Sequence, residues 1–334
     1  MLAPRLRLLL ASLLLPLGPA RAEPAECAGE ARVSPCFDAD ELWLSTTPSP
    51  FASLPSPRAL GTRELSLLVA AGYLYRPVIL VAPAPHPDGR EVPVVENTST
   101  LAFGARYGLG YGLDLGVVLP IVPYQNGTGA EGVTSRESSG LTSTTLRDPR
   151  VEFAAALAGR RPSDVLAVGT RLVLALPFGS SSALAGYAGP TVAPGVGAEL
   201  RFDRLTFAGD FGLRFRKAVN FASVRRGSEA SVALGAAFEI LKSPALGVGL
   251  ESSLRPQLAG RPPEVTSDSV DLPAEWLASL HFAPRESGPW SLFLAAGSGL
   301  PFSYANDPGT PRETTLGVTA PAFRAVLAVR HTLR

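Results

Sequence analysis

The chain has 334 residues, 46% hydrophobic and 18% charged, with 33 glycines, 32 prolines and a net charge of +1; its mean hydropathy is +0.19. So balanced a charge provides no basic field for counterion release, which excludes a nucleic-acid partner. Beyond the first twenty or so residues no run approaches the ~18 apolar residues of a spanning helix, so the hydrophobicity must be spread over alternating positions of strands.

In chain order, residues 1–22 read as a secretory signal: Arg5 and Arg7, the apolar stretch Leu8 to Leu17, then Ala20-Arg21-Ala22 as an A-x-A cleavage site. The two cysteines, Cys27 and Cys36, follow closely. In an exported chain such a pair most simply forms one disulfide closing a small loop. Two thiolates with no nearby histidine do not complete a zinc shell, and no metal or other cofactor is expected. Residues 23–60, rich in Pro, Ala and Ser, form a linker or plug-like segment, expected to stay on the periplasmic side.

From about Leu65 the pattern has period two and keeps it to the end of the chain. Within 111–121, Tyr111, Leu113, Leu115, Val117, Leu119 and Ile121 share one face. Similar alternation over 65–77, 99–109, 150–158, 165–176, 195–202, 205–216, 231–240, 246–255, 274–282, 290–300 and 315–330 predicts twelve strands, the last with a bulge at Pro321. Short connections at 108–110, 159–163, 203–204, 242–244 and 284–288 alternate with longer ones at 82–93, 124–146, 178–190, 218–228, 257–273 and 302–313. Even strand number and unequal loop lengths predict an all-β fold: a transmembrane antiparallel up-and-down β-barrel of about twelve strands over residues 61–334. Both chain ends then lie on the short-turn, periplasmic side.

One strand face is uniformly apolar. The other mixes Gly, Ser and Thr with Arg106, Asp114, Glu152, Arg171, Glu199, Arg201, Asp210, Arg214, Glu239, Glu251, Arg255 and Arg324. A charge facing lipid at mid-membrane costs about 2–4 kcal/mol, so these residues are assigned to the lumen. There they either brace the barrel as salt-bridge ladders, with Asp210, Arg214 and Arg216 facing Glu239 and then Glu251 and Arg255, or line a pore. Tyr73, Tyr75, Tyr107, Tyr111, Trp276, Trp290 and Tyr304 near strand ends suit interfacial girdles. A secreted β-sandwich would also alternate, but high hydrophobicity, strand length and loop asymmetry favour the barrel.

Only His86, His281 and His331 are available for general-base chemistry. Ser279, His281 and Glu275 share a face and are the best catalytic trio, although such pairs arise by chance on lumen faces, and no enzyme is expected. Gly108-Leu109-Gly110-Tyr111-Gly112 has no following helix and reads as a tight turn.

Cys36-Phe37-Asp38-Ala39-Asp40-Glu41-Leu42-Trp43, Tyr73 to Leu80, Leu146-Arg147-Asp148-Pro149-Arg150 and Leu174-Ala175-Leu176-Pro177-Phe178-Gly179 resemble the barrel portion of OmpA-family outer-membrane proteins of Gram-negative bacteria. The Asp-Pro and Leu-Pro-Phe-Gly elements are also similar to transport-type barrels for hydrophobic compounds. The resemblance covers about residues 36–334 and implies an outer-membrane location, with lipid and the barrel-assembly machinery as partners. Alternation to the end leaves no place for the peptidoglycan-binding domain of many relatives, and His331-Thr332-Leu333-Arg334 replaces the usual terminal aromatic residue. The expected function is a narrow pore or structural barrel, with small solutes as the cargo if it conducts. The alternatives are a phospholipase-like hydrolase and a surface interaction protein acting through loop 124–146.

Overall fold

The computed structural model describes residues 27, 33–82, 90–129, 141–161, 163–258, 272–284, 288–300 and 316–334. The expected signal segment 1–22, His86, Tyr304 and the middle of loop 124–146 lie outside the described residues.

Among these residues, twelve long strands pair in chain order and close on themselves. They are β1 (Leu65–Ala82), β2 (Arg90–Gly110), β3 (Leu113–Asn126), β4 (Arg150–Ala158), β5 (Leu166–Ala175), β6 (Thr191–Phe202), β7 (Leu205–Arg214), β8 (Glu229–Lys242), β9 (Ala245–Leu254), β10 (Ala274–Ala283), β11 (Trp290–Gly299) and β12 (Phe323–Leu333). Every neighbouring pair is antiparallel, and β12 returns to β1 with Leu65 opposite Leu333 and Tyr75 opposite Phe323. The barrel is therefore closed and up-and-down, as the alternation predicts. Closure leaves no sheet edge whose backbone groups would be stranded in an apolar medium.

Two local expectations are corrected. β1 and β2 are longer than the alternation suggests, because Val78–Ala82 and Arg90–Val95 continue the hairpin past the other staves. Pro321 does more than cause a bulge. Leu316–Val318 pairs with the far part of β1 (Ile79 to Val81) as a separate short strand, and β12 starts only after the proline. Proline has no N–H to continue a ladder, so the strand breaks there.

The β2–β3 connection is the tight turn expected at Gly108–Gly112. Tyr111 and Gly112 have φ of 55° and 81°, the left-handed pair of a type I′ hairpin turn. It lies at the short-turn end with the other tight connections and with both ends of the barrel chain.

The outer wall is apolar. Leu280, Leu294 and Leu327 stand side by side on β10, β11 and β12, and Leu294 is 50% exposed in the isolated chain. Tyr73, Tyr75, Tyr124, Trp276 and Phe323 form an exposed aromatic rim at the long-loop end; Tyr107, Tyr111, Phe202 and Trp290 form another at the short-turn end. Water would solvate neither the band nor its area, whereas a bilayer flanked by interfacial aromatics accommodates both.

An arginine at the centre of the outer band is expected to cost far more than one at its rim. Leu294→Arg should destabilise the barrel by about 2–4 kcal/mol and Tyr111→Arg by about 0–1 kcal/mol. Urea titration of the folded fraction in phospholipid vesicles, read by heat-dependent gel migration, checks the difference.

Candidate functional site: the occupied lumen

Of the two readings of this stretch, the plug-like one describes residues 33–60, which run through the barrel instead of staying outside it as a periplasmic linker. Cys27 and Cys36 form the expected disulfide, and its place is at the long-loop end. There Cys36 and Phe37 pack in one apolar cluster with Val78, Leu80, Val94, Leu184 and Phe221. Phe37 meets Phe221 edge-on, with ring centroids 5.0 Å apart. At the opposite end Arg58 donates to the carbonyls of Arg161 and Asp164 at 2.6 and 2.7 Å, and Arg63 N–H donates to Gly108 O at 2.8 Å. The segment therefore spans the lumen from one mouth to the other.

The physical reason is the width of the barrel. Eight-stranded barrels can be filled by inward side chains, and diameter grows with strand number. Twelve staves with small residues on the inner face leave a space that wall side chains do not fill. The inner-face glycines thus make room for the segment itself. A Cβ at Gly235 would come within 2.6 Å of Phe51 and Leu54, one at Gly169 within 2.8 Å of Pro57 O, and one at Gly104 within 3.3 Å of Thr46.

Charge holds the segment. Asp40 accepts from Arg147 and from Arg324, each at 2.7 Å, and Asp38 pairs with Arg147. Glu41 lies 3.0 Å from Arg216 and accepts from the Tyr187 hydroxyl. Trp43 carries the Arg214 guanidinium 3.9 Å over its ring. Glu251 accepts the backbone N–H groups of Ala52, Ser53 and Leu54 at 3.1 to 3.4 Å. Near the short-turn end Glu199 takes Arg58 at 2.7 Å and the Ser56 hydroxyl at 3.1 Å.

The other predicted lumen residues pair along the wall. Arg106 bridges Asp114 at 3.0 Å and Glu152 at 2.8 Å, and also donates to Thr46 at 3.2 Å. Arg171 grips Asp210 with both prongs. Arg201 reaches Glu199 at 2.7 Å, and Arg255 and Arg324 share Glu275. The proposed ladder from Arg214 to Glu239 is not formed. The register sets Arg214 opposite Glu229, 3.1 Å away, whereas Glu239 lies near the short-turn end beside Gly247.

Sequence reasoning missed the segment's own Asp38, Asp40, Glu41 and Arg58, and the wall residues Arg147, Arg150, Glu229 and Arg330. The available signal was an acidic cluster beside Leu42-Trp43-Leu44 in a stretch otherwise poor in charge. Asp148, just outside the staves, has its carboxyl pushed up to about 6 by burial, against the N–H donors of Tyr187 and Gly179.

The Ser279–His281–Glu275 trio is not assembled as a catalytic relay. Ser279 donates to Pro50 O at 3.2 Å, and both oxygens of Glu275 are taken by arginines.

Three small voids flank the segment: about 40 Å³ at the long-loop end, about 90 Å³ at mid-height and about 20 Å³ toward the short turns. Neighbouring voids share lining residues, Trp43 and Arg150 above and Pro55 and Arg171 below. The narrowest has room for little more than a water molecule.

Removing Arg106 leaves the buried Asp114 and the half-buried Glu152 without their cation. Arg106→Met is expected to cost about 3–5 kcal/mol in the same vesicle titration, well above the exposed control Arg76→Met.

The barrel is similar in fold to an outer membrane channel from Pseudomonas putida F1, with 12% identity over 83% of this chain and 98% of that one and a TM-score of 0.56. The KdgM porin (9% identity, 80% and 99% covered, TM-score 0.44) and the Pseudomonas putida toluene transporter TodX (10% identity, 91% and 98% covered, TM-score 0.43) align more loosely. No family model and no curated protein matches the sequence. At this identity the likeness establishes the β-barrel fold.

Proposed function

We propose that the protein is a narrow outer-membrane passage for small solutes, held closed by its own N-terminal segment. The observation that carries this reading is the path of residues 38–58 down the lumen, where among the described residues voids of about 20 to 90 Å³ lie beside them. A barrel needed only as a scaffold could be narrower and filled by its side chains. Here the wall is wide enough to need an added strand of chain, and that chain is held by ion pairs and hydrogen bonds that can exchange for water. The similar Pseudomonas barrel is an outer membrane channel, which agrees with this reading. In the same reading residues 1–22 direct export and the short turns face the periplasm, so the Cys27–Cys36 bridge lies toward the cell exterior. Twelve staves exceed the eight of small OmpA-type barrels, so the short OmpA-like motifs support membership among exported barrels in general.

Planar-bilayer recording tests the proposal. The full chain should give rare, small currents. Deleting residues 38–58 should raise the conductance severalfold, and so should Asp40→Asn combined with Glu41→Gln, which keeps the segment but weakens its hold. Variants that retain heat-dependent migration yet conduct no more than the full chain would contradict the proposal.

A further inference from the structure

The mid-height void of about 90 Å³ lies between Leu42–Ser45 of the segment and the wall from β3 to β9. Four arginines and two carboxylates border it, so its lining is positive. Most of these groups are already committed. Arg171 is held by Asp210, Glu152 by Arg106, Arg255 by Glu275, and Arg214 by Glu229 and Glu41.

Arg150 is the exception. It is 8% exposed, borders both the mid-height void and the one above it, and has its guanidinium 5.1 Å from the Trp43 ring. Among the described residues no carboxylate forms an ion pair with it. The acids nearest in the fold are engaged: Asp38 and Asp40 by Arg147 and Arg324, and Asp148 by the N–H groups of Gly179 and Tyr187. Arg214 approaches the same indole at 3.9 Å, which places two cations around one ring. An arginine cannot shed its proton to escape such surroundings, and a buried cation without a counter-charge is strongly unfavourable.

We infer that Arg150, beside the Trp43 ring, forms a lumen site for a small oxyanion, a carboxylate or a phosphate. The planar guanidinium fork matches two oxygens of either group. The void is of a size for a few non-hydrogen atoms, which limits the ligand to a small anion or to the anionic end of a longer solute. The site rests on the reading of the lumen as a solute passage, within which it would select for negatively charged cargo.

Fluorescence titration of the full-length protein in non-ionic detergent micelles tests the site. Trp276→Phe and Trp290→Phe leave Trp43 as the reporter. Inorganic phosphate and acetate are titrated separately, at an ionic strength held constant with sodium chloride, so the two arms distinguish tetrahedral from carboxylate recognition. A saturable change is expected with at least one of them. Arg150→Gln should weaken it by about tenfold or more, equivalent to ~1.4 kcal/mol, and Arg150→Lys should weaken it less. Arg76→Gln, at an exposed pair outside the lumen, should leave it unchanged. A flat titration of the parent protein overturns the site. So does an unchanged curve for Arg150→Gln, or, should that variant not fold, for Arg150→Lys. Because no current is measured, a flat result removes the anion site and leaves the closed-passage reading to the bilayer experiment.

Discussion

Asp40 stands between the guanidiniums of Arg147 and Arg324, 2.7 Å from each, deep inside a barrel whose outer surface is apolar. This pairing expresses the constraint on which the rest of the architecture depends: charges enclosed by the wall must find counter-charges inside it. The arginines cannot turn outward, where they would meet the apolar band. Wall carboxylates such as Glu229 and Glu275 satisfy some of them. Asp38, Asp40 and Glu41 of the N-terminal segment satisfy others, and thereby bind the segment to staves far apart in sequence.

The same segment answers the problem of volume. Glycines at 104, 169, 235 and 249 recess the inner wall where Thr46, Pro57, Phe51 with Leu54, and Pro50 pass closest. The backbone of the segment is accounted for as well: Glu251 accepts three of its N–H groups, and Arg330 donates to the carbonyls of Ser45 and Ser49. At the long-loop mouth the holding force changes from charge to apolar packing, where Cys27, Cys36 and Phe37 cluster with Phe221 and the extended β1–β2 hairpin. The segment is thus anchored at both mouths and braced between them. Beside the segment Arg150 keeps its charge within reach of the remaining space.

The barrel was legible because each stave meets lipid on one side and the lumen on the other, which imposes period two on every strand. All twelve alternations correspond to staves, and on them Arg106, Asp114, Glu199, Asp210, Arg214, Glu251 and Arg324 are buried. Residues 33–60 were legible only as a linker or a plug-like segment, with no choice between the two, because a chain surrounded on all sides has no face to alternate. Phe37, Leu42, Phe51 and Leu54 are buried among prolines and serines with no regular spacing. Ion-pair partners were equally hidden. Arg214 meets Glu229 because β7 and β8 pair in a register set by the loop between them, and period-two reasoning could not choose between Glu229 and Glu239. Arg147 and Arg150 flank a loop–strand boundary, where alternation has only begun.

The passage of the N-terminal segment through the lumen is the central claim, and a cross-link tests it most directly. A Cβ at Gly104 would lie within 3.3 Å of the Thr46 side chain, so Thr46→Cys combined with Gly104→Cys should form a disulfide under mild oxidation in assembled outer membranes. Peptide mass mapping would separate it from the native bridge between Cys27 and Cys36. A bridge between positions 46 and 104 is expected in nearly all of the heat-shifting, folded protein. A folded barrel that forms no such bridge, and whose substituted position 46 reacts freely with a membrane-impermeant maleimide, would contradict the threaded lumen.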